Sequence, residues 1–211
     1  MSVGACVPRA VKTYVRWVDA LNYRVGRMTM YLIFVLIGVL LWSSISKTFF
    51  NPSLWTLEVA QFVMVAYYIL GGPYSIQLGS NVRMDLFYGE WSARTKAWFD
   101  AFTIMFLIFF LGVLLYGGVG SAAYSLGYYG DAPFTFFGEL VFGYIASLFS
   151  GLDAATAHIK DMIPRVERSA TAWRPQIWPI KIIMCIGFIL MLLQASAEFC
   201  RDIARLRGEE L

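Results

Sequence analysis

The chain has 211 residues, of which 59% are hydrophobic and 15% charged, and its mean hydropathy is +0.62. Soluble domains carry about 45–50% apolar and about 25% charged residues, so this balance excludes a disordered chain, a nucleic-acid-binding arm and an ordinary soluble enzyme. A net charge of +3 is too small for polyanion binding, and the apolar excess asks for a membrane.

The N-terminal segment is basic and patterned. Val11, Tyr14, Val15, Val18, Leu21 and Val25 recur at helical spacing with Lys and Arg between them. Two readings stand: a helix lying on the cytoplasmic membrane surface, or a plain basic topology signal. A secretory leader is not expected, because the polar lead is long, the following apolar run exceeds a usual leader core, and no small-residue cleavage site stands out.

Four segments predict membrane spans, at 28–46, 59–78, 101–120 and 177–197. The first two carry no charge, and the fourth is broken only by Lys181 near its start. A helix of about 20 residues covers the roughly 30 Å hydrocarbon core and is the only open-chain way to satisfy a backbone there. The third span is strongest from Phe102 to Leu115, and its exit is blurred because 101–130 holds no charge. Between spans two and three, Ser92 is placed to cap a helix running into span three, with Trp91 and Trp98 at headgroup depth.

The loop at 131–176 is long for a connector. Inside it Leu140 to Leu152 forms an uncharged run of 13 residues, too short to span. Phe142, Ile145, Phe149 and Leu152 would form one face of a helix on the outer surface. Asp153 would cap a second short helix ending before Pro164. Eleven Lys and Arg fall in the N-terminal segment, the link between spans two and three, and the tail, against five in the other two loops. The positive-inside rule then places both termini in the cytoplasm. The expected fold is all-α and integral to the membrane. It is a four-helix bundle with an N-terminal interfacial helix and short extra helices in a periplasmic third loop.

Charges in or beside spans are site candidates because they are costly there. Glu58 opens span two and Lys181 opens span four at the same end. Either they pair across the helices, or Glu58 favours its own helix N-terminus while Lys181 snorkels to water. Gly71, Gly72 and Pro73 interrupt span two, as a packing kink or as the broken helix of a transport site. Ser75, Gln77 and Gln194 are polar groups suited to bonding neighbouring helices. Catalysis lacks its parts: His158 is the one histidine, placed in the outer loop as a solvated side chain. Cys6, Cys185 and Cys200 form no CxxC pair and read as apolar fillers or free thiols. No cofactor, metal ligand set or catalytic residue is expected.

The run YYILGGPYSIQLGSNVRMDLFYGEWSARTKAWFD from Tyr67 resembles the small membrane subunit of tripartite ATP-independent periplasmic (TRAP) transporters, the DctQ type. That family typically has a Glu early in span two, a Gly-rich helix end and a His-Val-Arg-Val-Asp-like signature. Here the signature reads Asn81-Val82-Arg83-Met84-Asp85, so Arg83 and Asp85 match and Asn81 replaces the histidine. Trp178-Pro179-Ile180-Lys181, followed by Gly187, Leu192, Leu193 and Gln194, resembles the start and the Leu-Leu-Gln ending of the family's fourth helix. The resemblance implies one DctQ-like membrane domain over 1–211, acting as a non-catalytic subunit of a sodium-coupled importer of an organic acid. Its implied partners are a large DctM-type membrane subunit that moves as an elevator, a periplasmic DctP-type binding protein and the lipids of the bacterial inner membrane. Its implied role is a stationary scaffold and a docking aid. The alternatives are a free-standing four-helix exporter relying on Glu58, and a membrane scaffold unrelated to transport.

Overall fold

The computed structural model describes residues 8–79, 93–163 and 165–206. Among these residues the chain forms seven helices: α1 (Arg9–Met30), α2 (Leu32–Phe49), α3 (Thr56–Gln77), α4 (Ala93–Ser125), α5 (Pro133–Ser150), α6 (Leu152–Met162) and α7 (Trp178–Leu206). The described residues hold one isolated β-bridge, Arg168–Gln176, and no strand. Four helical segments are long and apolar enough to cross a membrane: Arg9–Phe49, Thr56–Gln77, Trp98–Ser125 and Trp178–Leu206. The protein is an all-α, multi-pass membrane protein.

The helices overrun the hydropathy boundaries because hydrogen bonding, not apolarity, sets where a helix stops. The third begins at Ala93 and the fourth persists to Leu206. The first is preceded directly by α1. Tyr31 between α1 and α2 keeps helical dihedrals, φ −72° and ψ −17°, and the turn there tightens to i→i+3 bonds from Tyr31 to Met28 and from Phe34 to Tyr31.

The predicted apolar stripe of α1 exists, but it faces protein. Val15 and Val18 are buried with Ala197 of α7, flanked by Val11, Tyr14, Leu193 and Cys200. The surface-helix expectation is corrected here. A stripe this narrow is satisfied by one neighbouring helix, and the later turns of α7 supply it.

Side-chain register gives the helix directions. Asp19 and Gly26 of α1 meet Gln77 and Tyr74 of α3, so those helices run antiparallel. Ile69 and Gly72 of α3 face Gly187 and Met191 of α7, so those two run parallel. Gly118 and Ser121 of α4 meet Cys185 and Lys181 of α7, an antiparallel pair. Up, down, up, down is the order four crossings require. The core joins Leu111, Phe188 and Ala195, with Ile69, Leu107, Ile108 and Met191 packed around them.

Beyond α4, the chain turns at Gly127 (φ +91°), where a Cβ would meet the backbone oxygen of Arg165 at 2.6 Å. Helices α5 and α6 then form a hairpin closed by Gly151, whose φ of +123° favours glycine. Gly151 is the N-cap of α6, so Asp153 does not cap it; it lies in the first turn and complements the helix dipole instead. The expectation that His158 is solvated is also corrected. Its ring packs against Gly143 of α5, and its Nε2 is buried without a hydrogen-bond partner among the described residues.

Candidate functional site

Glu58 and Lys181 do not pair. Lys181 turns toward α4, where its Nζ donates to Glu167 Oε2 at 2.7 Å and to the Ser121 carbonyl at 3.2 Å, beside the Tyr124 ring. The reason is register: α7 offers α3 the face with Gly187 and Met191, and Lys181 lies on the side facing α4. The signal for Glu167 was invisible in the sequence, because a loop acid has no periodicity to place it. The Ile177 and Glu167 backbones bond to each other as well, which fastens the loop to the start of α7. Lys181→Met is expected to remove about 1–2 kcal/mol of stability, as for a half-buried hydrogen bond between charged groups. Faster proteolysis of 163–177 would report it. A Lys181→Met/Glu167→Gln double variant should be no worse than the single.

Glu58 is 5% exposed, and both its carboxylate oxygens are buried without a partner among the described residues. It occupies the first turn of α3, where free N–H groups favour a negative charge. The hydroxyls around that helix start are tied to one another: Ser46 to Ser53 at 3.1 Å, Ser53 to Thr56 at 3.0 Å, and Thr56 to Ser43 at 3.2 Å. These bonds clamp the α2–α3 hairpin.

Gly72 and Pro73 sit within α3, which continues to Gln77. A Cβ on Gly72 would lie 2.9 Å from Met191 Sδ, so this glycine admits α7. Pro73 has no N–H and therefore leaves the Ile69 carbonyl without its helical donor. That carbonyl faces Gly187, where a Cβ would lie 3.1 Å from the oxygen and would overlap Ile69 Cγ2.

Gln194 is fully buried and is the hub of the largest polar network among the described residues. Asn22 Nδ2 donates to its Oε1 at 2.7 Å. Its Nε2 donates to Asp19 Oδ1 at 3.1 Å and to Glu198 Oε1 at 3.2 Å. Arg201 joins the two carboxylates by pairing with both Asp19 and Glu198. Gln77 Nε2 donates to the Asp19 carbonyl at 3.3 Å, and the Tyr14 and Ser196 hydroxyls share a 2.7 Å bond. Helices α1, α3 and α7 are thus locked at the end of the bundle where α1 begins and α7 ends. Asp19 and Asn22 were missed in the sequence, although their spacing of three residues on the stripe containing Val15 and Val18 was available as a clue.

Arg83 and Asp85, with Asn81, Trp91 and Ser92, lie outside the described residues. Among the described residues no group of three or more His, Cys, Asp or Glu is placed to hold a metal ion. The clusters around Gln194, Lys181 and Ser53 tie helix to helix or loop to helix, and among the described residues none of the three aligns a nucleophile with a base.

The family model of the DctQ component of tripartite ATP-independent periplasmic transporters matches residues 36–152. This chain belongs to that family and is the small membrane component of a TRAP transporter, a class whose members work with other TRAP subunits. The match takes in most of α2 and all of α3 to α5, while the resemblance of the fourth-helix block, Trp178 to Gln194, lies beyond it. No curated protein matches, and neither does any solved structure.

Proposed function

We propose that this subunit is the stationary frame of a sodium-coupled importer of an organic acid. It sits in the bacterial inner membrane with both termini in the cytoplasm. Its partner in the bilayer is a large DctM-type subunit that carries the substrate and sodium sites, and it helps a DctP-type periplasmic protein to dock. All four crossing helices, over 1–211, act as one membrane domain. The residues we assign to holding this frame together are Glu58, Gly72, Pro73, Lys181 and Gln194; Arg83 and Asp85 are assigned to the subunit interface on the resemblance alone.

The observation that carries this reading is the interlock of α1, α3 and α7 through Gln194, Asp19, Gln77 and Arg201. Buried polar groups bonded to one another fix a single arrangement of helices, and an elevator needs a neighbour that does not move. The Lys and Arg distribution supports the cytoplasmic termini. Reconstitution tests it. Proteoliposomes holding both membrane subunits should take up solute only with a sodium gradient and binding protein, and those holding this chain alone should take up none. A reporter fused to either terminus should be active only on the cytoplasmic side.

The buried Glu58 carboxylate favours a second reading, a free-standing exporter with Glu58 as its proton carrier. Proton-coupled efflux by this chain alone, lost in Glu58→Gln, would establish that reading in place of the first.

A further inference from the structure

The outward face of α5 is apolar along its whole length. Phe134, Val141, Phe142, Ile145, Leu148 and Phe149 fall within one arc of the helix and are all exposed, Phe142 at 75% and Phe149 at 90%. They form a stripe about 22 Å long. The opposite face is occupied, with Phe136 in a core with Ala123 and Leu126, and Gly143 against His158. Of the exposed charges of the hairpin, Asp153, Lys160 and Asp161 lie on α6, and Glu139 lies on α5 about 60° outside the arc of the stripe.

The depth of this stripe follows from its contacts. Lys181, Glu167 and the Ser121 carbonyl form a charged cluster that marks the polar boundary on α4 and α7. Tyr116 lies five residues further into the span, about 7.5 Å below that boundary. The Phe134 ring at the start of α5 lies 6.0 Å from the Tyr116 ring. Tyr116 is itself exposed, on the same helix as Phe109 and Val113 of the lipid-facing surface of α4. The α5 stripe therefore begins against the membrane surface of a crossing helix, with Phe134 beside Tyr116 and Phe136 beside Ala123 and Leu126 nearer the boundary. A water-soluble partner does not reach that depth.

We propose that α5 is immersed in the acyl region of the leaflet at this end of the bundle, its apolar stripe covered by lipid and α6 forming its polar roof. The hairpin is then a wedge that widens the subunit's footprint in the bilayer. This rests on α4 crossing the membrane, not on the transport reading above.

The test is site-directed spin labelling of the full chain in liposomes, with Cys6, Cys185 and Cys200 replaced by alanine. Labels go at Phe142→Cys and Phe149→Cys, with Phe109→Cys as the mid-span reference and Asp161→Cys as the aqueous one. Collision rates with oxygen and with a water-soluble nickel chelate are measured with and without the large subunit. At 142 and 149 oxygen should exceed the nickel chelate several-fold in both preparations, as at 109, and the order should reverse at 161. Nickel-dominated collisions at 142 and 149 would overturn the proposal in favour of water. Exclusion of both reagents only when the large subunit is bound would overturn it in favour of a protein partner. Nickel-dominated collisions at 109 would overturn it together with the span assigned to α4.

Discussion

Gly187→Leu is expected to separate α3 from α7 and lower stability by about 3 kcal/mol, the upper range for overpacking a filled interface. In a chain of this size that is a drop of about 6–12 °C in apparent midpoint. Even a methyl group at Gly187 overlaps Ile69 Cγ2 and approaches the Ile69 carbonyl oxygen to 3.1 Å. A side-chain methyl can rotate away, but a carbonyl moves only with the backbone of its helix. Gly187→Ala should therefore be milder and be rescued in part by Ile69→Ala, whereas Gly187→Leu should not be rescued. The carbonyl is part of the fit: Pro73 denies it a donor, and the bare Cα of Gly187 lets it lie against α7. Between helices in lipid there is little hydrophobic drive to compensate, so close backbone approach carries much of the association. Thermal unfolding in nanodiscs, with copurification of the proposed large subunit as a second readout, measures the series. Equal midpoints for Gly187→Leu and wild type would remove the α3–α7 contact from any account of this fold.

Particular residues show how much of this was legible in the sequence. The four spans were, because an apolar run of about 20 residues with at most one charge has one physical solution in a bilayer. The α1 stripe was visible as a helix, but periodicity shows only that a face is apolar, not whether lipid or protein covers it. Val18 is fully buried on α7, and nothing in its own neighbourhood of sequence names Ala197 as the partner. Glu58 and Lys181 open parallel helices at one end of the bundle, and which of the two readings holds depends on rotation about two helix axes. A difference of one residue turns a side chain by about 100°, and no count of charges supplies that angle. Gln194 was recognised as a polar group in a span, which limits it to a helix partner or a ligand. The partner itself, Asn22, is 172 residues away and lies in a segment whose sequence leaves a surface helix and a basic topology signal both open. Gly72 and Pro73 were flagged as a break. Their role is joint with Gly187, and the pairing of the two glycines with α7 and α3 is a property of the interface.

Gln194→Leu should be the most damaging single change to the polar interlock, at about 2–3 kcal/mol. Leucine fills nearly the same volume, so the loss is in hydrogen bonding alone. Asn22, 1% exposed, loses the acceptor for its Nδ2 while its Oδ1 is already without a donor, and Asp19 and Glu198 each lose an N–H. Interhelical bonds in lipid average about 0.6 kcal/mol, with a maximum of about 1.7 kcal/mol. The remainder comes from leaving buried polar groups unsatisfied, about 1–3 kcal/mol for each one fully stranded. Arg201 keeps both carboxylates paired, which limits the damage to less than that sum. The damage should be local. Helix α1 is held to α7 by this network and by Val15 and Val18, so it should loosen first, while α3, α4 and α7 stay packed. Trypsin cleavage after Arg16 and Arg24, both exposed on α1, should then quicken well before the bundle unfolds. Asn22→Leu added to Gln194→Leu should recover part of the stability, since it removes the stranded amide. A double variant worse than the single would mean that Asn22 is bonded elsewhere and that the interlock does not hold α1. A frame without α1 in place should still insert in the membrane, so the transport assay with the proposed large subunit separates the two roles: full uptake by Gln194→Leu would show that rigidity at this end of the bundle is not what the proposed elevator requires.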